Sequence, residues 1–259
     1  MNSTPGTVPA PAPGQYRGLS GVVTGAGSGI GRAVAERFLA GGAEVAGWDR
    51  DAEALARLAD HGAAHTAAVD VRDADGLARA AHDVTERFGR VDFLVNSAGL
   101  FLQGALADTE TDSARRLFDV NVLGTTLVTR ALLEPLTRAR GAVVNISSTV
   151  AIRPSASNAL YAASKAAIAQ LTRCWAVELA DRGIRVNAVA PGPTPTNLFA
   201  VAGMDRERAE SFLRERAGQI PLGRTGTVEE IALWISRLAA RDEWTTGQVV
   251  AVDGGMSLL

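Results

Sequence analysis

The sequence is short of several things, and each shortage narrows what the chain can be. Among 259 residues there is one cysteine, Cys174, so no internal disulfide can form; a reducing cytoplasm is the expected compartment. A net charge of −2 leaves no broad basic face for nucleic acid and no polybasic signal for a membrane surface. Long apolar runs are missing too. The longest uncharged stretch, residues 186–204, contains Pro191, Pro193 and Pro195 and does not read as a membrane helix. Residues 1–16 hold no Lys, Arg or apolar block, so they do not read as a signal peptide. Four of the ten prolines fall in the first 13 residues, and 1–16 is expected to be a disordered leader ahead of one domain over 17–259. The three histidines, His61, His65 and His82, have no metal-ligand spacing, so no metal site is expected. No G-x-S-x-G elbow and no H-E-x-x-H occurs. Lysine is as scarce as cysteine: of 26 basic residues, 25 are Arg and one is Lys165. Only two tyrosines exist, Tyr16 in the leader and Tyr161.

What is present is a regular alternation. Candidate strands at 21–23, 44–48, 64–69, 93–95, 142–146, 185–189 and 248–252 alternate with candidate helices near 30–40, 52–60, 74–88, 112–138, 157–180, 205–218 and 228–240. Strands such as Ala142-Val143-Val144-Asn145-Ile146 are nearly apolar throughout, as a sheet covered on both faces requires. Crossovers of a dozen residues or more predict parallel pairing, and right-handed crossovers wind helices onto both faces. The expected fold is a single-domain α/β, Rossmann-type doubly wound sheet of about seven parallel strands.

The first strand runs into Thr24-Gly25-Ala26-Gly27-Ser28-Gly29-Ile30-Gly31, with a helix at once behind it. Glycines let the backbone approach a pyrophosphate, whose charge the free N–H groups of a helix start would stabilise. Asp49 ends the second strand, 18 residues after Gly31. A carboxylate there accepts hydrogen bonds from the adenosine ribose and repels a 2′-phosphate; the competing reading is a helix N-cap. Arg50 keeps a 2′-phosphate open, so the expected cofactor is NAD, with NADP as the alternative. Asp70, after the third strand, and Asn96-Ser97-Ala98-Gly99, after the fourth, lie at the carboxyl edge where such sheets bind ligands. Asp70 is placed to meet adenine and Gly99 to let the chain pass the ribose; plain turn chemistry competes for both.

Tyr161-Ala162-Ala163-Ser164-Lys165 lies in a helical stretch, and four residues make about one turn, so Tyr161 and Lys165 share a face. A chain that uses Arg everywhere else has placed its one Lys beside the only tyrosine outside the leader. A phenol of pKa about 10 needs lowering by up to ~3 units, roughly 4 kcal/mol, to act as a base near neutrality. An ammonium at about 4 Å and an effective dielectric near 20 supplies attraction of that order.

With these residues in place, the sequence resembles the short-chain dehydrogenase/reductase family over residues 18–259. The resemblance rests on Thr24–Gly31, Asn96–Gly99, Asn121, Ser148, Tyr161-x-x-x-Lys165, and Pro191-Gly192 with Thr196. It implies that Tyr161 accepts or donates the substrate proton and that Lys165 lowers its pKa while binding the nicotinamide ribose. Ser148, 13 residues before Tyr161, would hold the substrate oxygen. Asn121 would anchor a proton-relay water, against the alternative of a satisfied polar residue in a helix. Cofactor contacts would come from Gly25, Gly27, Ser28, Gly29, Ile30 and Gly31, from Asp49, Arg50, Asp70 and Val71, and from Asn96, Ala98 and Gly99. Pro191, Gly192, Thr194 and Thr196 would meet the nicotinamide, joined by Tyr161 and Lys165. Asn96-Ser97 stands where the family more often has Asn-Asn. A homo-oligomer, tetramer or dimer, is implied as well.

The expected reaction is interconversion of a secondary alcohol and a ketone by hydride transfer on a small-molecule substrate. An NADPH-dependent ketoreductase is the near alternative; a non-catalytic dinucleotide-binding sensor is the distant one, for which Ser148, Tyr161 and Lys165 would be superfluous. Expected pocket walls are residues 100–102, 149–153, and an apolar lid at 198–204 with the helix after it; Arg153 is the one charge placed near the mouth, where a partner for a substrate carboxylate competes with the stronger reading of a solvated surface arginine. Cys174 reads as a packed small side chain.

Overall fold

The computed structural model describes residues 8–60, 64–240 and 244–259; His61 lies outside them. Strands β1 (Ser20–Thr24), β2 (Glu44–Asp49), β3 (Ala64–Ala68), β4 (Phe93–Asn96), β5 (Ala142–Ile146), β6 (Arg185–Pro191) and β7 (Val249–Val252) form one sheet. All neighbours are parallel, in the order β3-β2-β1-β4-β5-β6-β7. This is the doubly wound architecture that the apolar strands predict. Side chains alternate across the pleat: Val23, Val45 and Val144 face one layer, while Val22, Ala46 and Val143 face the other. The first layer is closed by α1 (Gly29–Ala40) and α10 (Val228–Ala239), through Val34, Phe38, Ile231 and Ile235. The second is closed by α3 (Ala74–Phe88), α5 (Thr125–Ala131) and α6 (Leu133–Ala139), through Leu77, Val84, Val128 and Leu136, and by α7 (Ala159–Glu178). Each such buried side chain favours folding by about 1.5–3 kcal/mol.

Three expectations are corrected. The leader expected over 1–16 ends sooner than its prolines suggest. Tyr16 is 2% exposed, its ring 4.7 Å from that of Phe38 and its hydroxyl donating to Ser236 Oγ at 3.1 Å. Arg37 Nη1 also donates to the Pro9 carbonyl, so the segment is tied to α1 at two points. Proline content says nothing about one aromatic that finds a hole; residues 1–7 lie outside the described residues.

The single helix expected over 112–138 is segmented into α4 (Thr111–Phe118), a widened helical turn over 119–124, α5 and α6. Pro135 has no N–H for the carbonyl four residues back, which is where α5 stops. Cys174 is exposed rather than packed, accepting a weak contact from Gln170 Nε2 at 3.6 Å. Among the described residues no helix is long and apolar enough to cross a membrane, and no three or more His, Cys, Asp or Glu side chains gather as metal ligands.

Candidate active site

Strand order reverses between β1 and β4, and a crevice opens there at the carboxyl ends of the strands. A cavity of about 550 Å³ fills it.

One end of the cavity is built from backbone. Gly25 takes φ +66°, and a Cβ on it would sit 2.9 Å from Ala98 N; a Cβ on Gly31 would sit 2.2 Å from Gly25 O. Only glycine fits either place, so the loop lies flat against the sheet. Thr24 Oγ1 accepts from Ser97 N and Ala98 N, both at 3.1 Å, locking this loop to the next. At α1 the Ser28 side chain makes no cap and the first turn holds no acid. By contrast α2 (Ala52–Ala59), α3, α9 (Arg206–Ala217) and α10 each begin with a side-chain cap and an acidic residue. The start of α1 therefore offers unspent N–H groups beside a glycine cradle, which fits the pyrophosphate of a dinucleotide.

Asp49 lines the same end, accepting from Gly27 N at 3.0 Å and Asp51 N at 3.1 Å. It is not the helix cap; Asp51 fills that role for α2. Each Asp49 oxygen keeps a lone pair for a ribose hydroxyl. Arg50, exposed, lines the cavity beside it. Asp70 is held by Arg72 at 2.6 Å, which keeps its carboxyl below the usual range.

The other sequence-derived positions divide. Gly25, Ser28, Gly29, Ile30, Val71, Ala98, Gly99, Ser148, Tyr161, Lys165, Pro191, Gly192, Thr194 and Thr196 line the cavity. Gly27, Gly31, Asn96 and Asn121 stand behind its wall. Asn96 turns inward, donating to Asn145 Oδ1 at 2.9 Å and Thr129 Oγ1 at 3.0 Å, and Asn145 passes the chain on to Thr172. Its register opposite Asn145 on β5 aims it into the fold rather than at a ligand. Asn121 sits in the widened turn, exchanging bonds with the Leu100 backbone (2.7 and 3.0 Å) and donating to Ser164 Oγ. A Cβ on Gly99 would lie 3.4 Å from Asn121 Oδ1 and 3.5 Å from Lys165 Nζ, so these groups meet just behind the loop.

At the centre, the Ser148 and Tyr161 hydroxyls are hydrogen-bond partners. Burial pushes its phenol up to about 12, with the Ser148 bond pulling the other way. Burial pulls Lys165 down to about 8, and its Nζ donates to Ile146 O at 2.8 Å. The Nζ lies 5.9 Å from the Tyr161 ring centre. In the chain alone burial thus works against the lowered tyrosine pKa expected from the pairing, and the ammonium is directed at a carbonyl.

The far wall is aromatic. Phe101 packs edge-on against Tyr161 at 5.0 Å, then Phe199 of α8 (Leu198–Val201) at 5.6 Å, then Phe212 of α9 at 5.6 Å. Of the expected walls, Leu100, Phe101, Thr149, Val150, Arg153, Leu198, Phe199 and Val201 line the cavity; Leu102, Ile152 and Met204 do not. Phe212 and Arg216, which also line it, come from the helix expected behind the lid; Met256, near the chain end, belongs to none of the expected walls.

Comparison with known proteins agrees with this geometry. A family model described as enoyl-(acyl carrier protein) reductase matches residues 25–257. A galactitol 2-dehydrogenase (L-tagatose-forming) of Cereibacter sphaeroides is 40% identical over 251 residues, covering 93% of this chain and 96% of that protein. A 3-ketoacyl-(acyl-carrier-protein) reductase of Brucella melitensis, solved with NADH, superposes with a TM-score of 0.85 at 31% identity, covering 93% and 99% of the two chains. ElxO, solved with NADP bound, gives 0.85 at 30% identity over the same shares.

Proposed function

The chain belongs to the short-chain dehydrogenase/reductase family, and from that premise we propose that it interconverts a secondary alcohol and a ketone with NAD as the preferred cofactor. The observation that carries the reading is the meeting of Ser148, Tyr161 and Lys165 at the centre of one cavity, with the uncapped start of α1 at its edge. Gly25, Ser28 and Gly29 would hold the pyrophosphate, Asp49 the adenosine ribose, Lys165 the nicotinamide ribose, and Gly192, Thr194 and Thr196 the carboxamide end. When bound, the nicotinamide supplies the hydride acceptor or donor and, oxidised, a positive charge.

Ser148 positions the substrate oxygen, and Tyr161 moves its proton. With its phenol at about 12, Tyr161 is protonated at neutral pH and ready to donate to a ketone oxygen in reduction. For oxidation it must lose that proton to solvent first, and Lys165, its Nζ 5.9 Å from the ring centre, then balances the phenolate. The Asn121 amide, tied to the Leu100 backbone, holds the loop that covers this path. A homo-oligomer, dimer or tetramer, working in the cytoplasm is the setting we propose.

The test is a panel of alcohols and ketones with NAD(H) and NADP(H), followed by the absorbance of the reduced nicotinamide. Turnover with an NAD preference of about tenfold or more in kcat/KM is expected. A preference for NADP would hand the ribose site to Arg50. Tight dinucleotide binding without turnover of any pair would leave the sensor reading.

A further inference from the structure

The cavity carries a charge asymmetry that the alcohol–ketone reaction does not require. Its two carboxylates, Asp49 at the end of β2 and Asp70 just after β3, lie at the dinucleotide end. Elsewhere the lining includes Phe101, Phe199, Phe212 and Met256, neutral polar residues such as Ser155 and Asn197, two arginines, Arg153 and Arg216, and no acid.

Other half-buried arginines among the described residues are well satisfied: Arg224 holds Glu230 through two bonds of 2.6 and 2.9 Å, Arg32 holds Glu36 at 2.6 Å, and Arg37 and Arg185 each bond two or more acceptors, hydroxyl or backbone carbonyl. Arg153 and Arg216 are half-buried too, yet no carboxylate pairs with either among the described residues. Arg153 Nη1 makes one long bond, 3.4 Å, to the Met256 carbonyl. Arg216 Nη1 donates to Gln219 Oε1 at 3.1 Å, and its guanidinium lies 5.0 Å over the Phe212 ring. A guanidinium has five N–H donors, so most of this capacity is unspent, and stacking on Phe212 fixes the plane of the second fork. Two cations with unspent donors on the lining of one cavity are what an oxyanion needs.

We propose that the substrate is a ketone or secondary alcohol on an apolar, aromatic-sized body that ends in an oxyanion, a carboxylate or a phosphate-type group, held by Arg153 and Arg216. This rests on the alcohol–ketone reading only for the reacting group; the anion site stands on the cavity itself. The ring ladder Tyr161–Phe101–Phe199–Phe212 gives the order of contacts: reacting carbon at Tyr161, body along the phenyl rings, anion at Arg216.

The experiment measures binding, by calorimetry on the full chain saturated with NAD, so that no turnover is needed. The probes are benzoylpropionate, its methyl ester and the analogous phosphonate. The acid should bind about tenfold or more tightly than the ester, and the preference should shrink with added salt. Arg153→Gln and Arg216→Gln should each reduce the preference to about two- to threefold, while Arg216→Lys, which keeps the charge and loses the fork, retains an intermediate share. A phosphonate that outbinds the acid assigns a phosphate-type substrate; the reverse assigns a carboxylate. Equal binding of acid and ester by wild type, an unchanged ratio in both Gln variants, or no binding of any probe would overturn the proposal. Acid-selective binding in a chain that turns over no alcohol or ketone would instead sink the proposed reaction and leave the anion site standing. Efficient reduction of neutral ketones with no preference for acids would do the opposite.

Discussion

The two ends of the cavity are held in place by different forces. The dinucleotide end is backbone, set by strands whose hydrogen bonds continue into the sheet, with Thr24 clamping two loops and the Asn96–Asn145–Thr172 chain buried beneath. The aromatic end is side chains on α8, four residues long, and on α9, which buries no residue fully. A hydrogen-bonded frame resists displacement in every direction. Ring contacts resist only separation, so one wall can be reshaped without disturbing the other. Chemistry on the rigid side and choice of substrate on the adjustable side is the division that follows.

The sharpest way to break this division is at its junction. Lys165→Arg keeps the charge but needs more room against Ile146 O and Gly99; kcat should fall by roughly 10² with the melting curve intact. Near-wild-type kcat would remove Lys165 from the mechanism. Next, Ser28→Asp supplies the acid that α1 lacks. It should raise or hold the melting temperature through the helix dipole while weakening NAD binding about tenfold, measured by calorimetry. Equal affinity would mean that the α1 start is not the pyrophosphate site. Asp49→Ala should narrow the NAD-to-NADP ratio of kcat/KM by about tenfold, because repulsion of the 2′-phosphate goes with the ribose bonds.

On the adjustable side, Phe199→Leu should move KM for the ketone several-fold, about 1 kcal/mol, with NAD affinity within about twofold. The smallest effect is a pH dependence. Lys165 sits at about 8 in the fold against 10.5 unfolded, so its burial costs stability in full below pH 8 and less as pH rises through that window. Wild type should therefore gain a few degrees of melting temperature relative to Lys165→Met between about pH 7 and about pH 9.5. Tyr161, raised to about 12, leaves that window undisturbed.

The same division governs what was legible in the sequence. Apolar strands, the glycine loop and Tyr161-x-x-x-Lys165 are local patterns whose geometry the backbone enforces, and the sheet and most of the cavity floor follow from them. Asn96 and Asn121 carry the right residue types, yet their side chains are spent on the fold, because cross-strand register and a widened turn decide where they point. The helix behind the lid is expected as a wall, yet α9 is mostly charged, and only tertiary packing selects Phe212 and Arg216 as the side chains that reach the cavity. Spacing likewise gives proximity to Lys165 but not the desolvation that pushes the Tyr161 phenol up.

The docking of Tyr16 also sets an order of events during synthesis. Its hydroxyl partner, Ser236, follows it by 220 positions, so nearly the whole chain must leave the ribosome before that contact exists. Phe38 and Gly41, by contrast, emerge at once and offer the ring a temporary seat. The nascent amino-terminal half can therefore assemble around β1 and β2 while its far flank stays open, until α10 arrives to close over α1. Pulse-labelled exchange during refolding should find the Tyr16 amide, which donates to Gly41 O, gaining full protection in the last phase, together with α10.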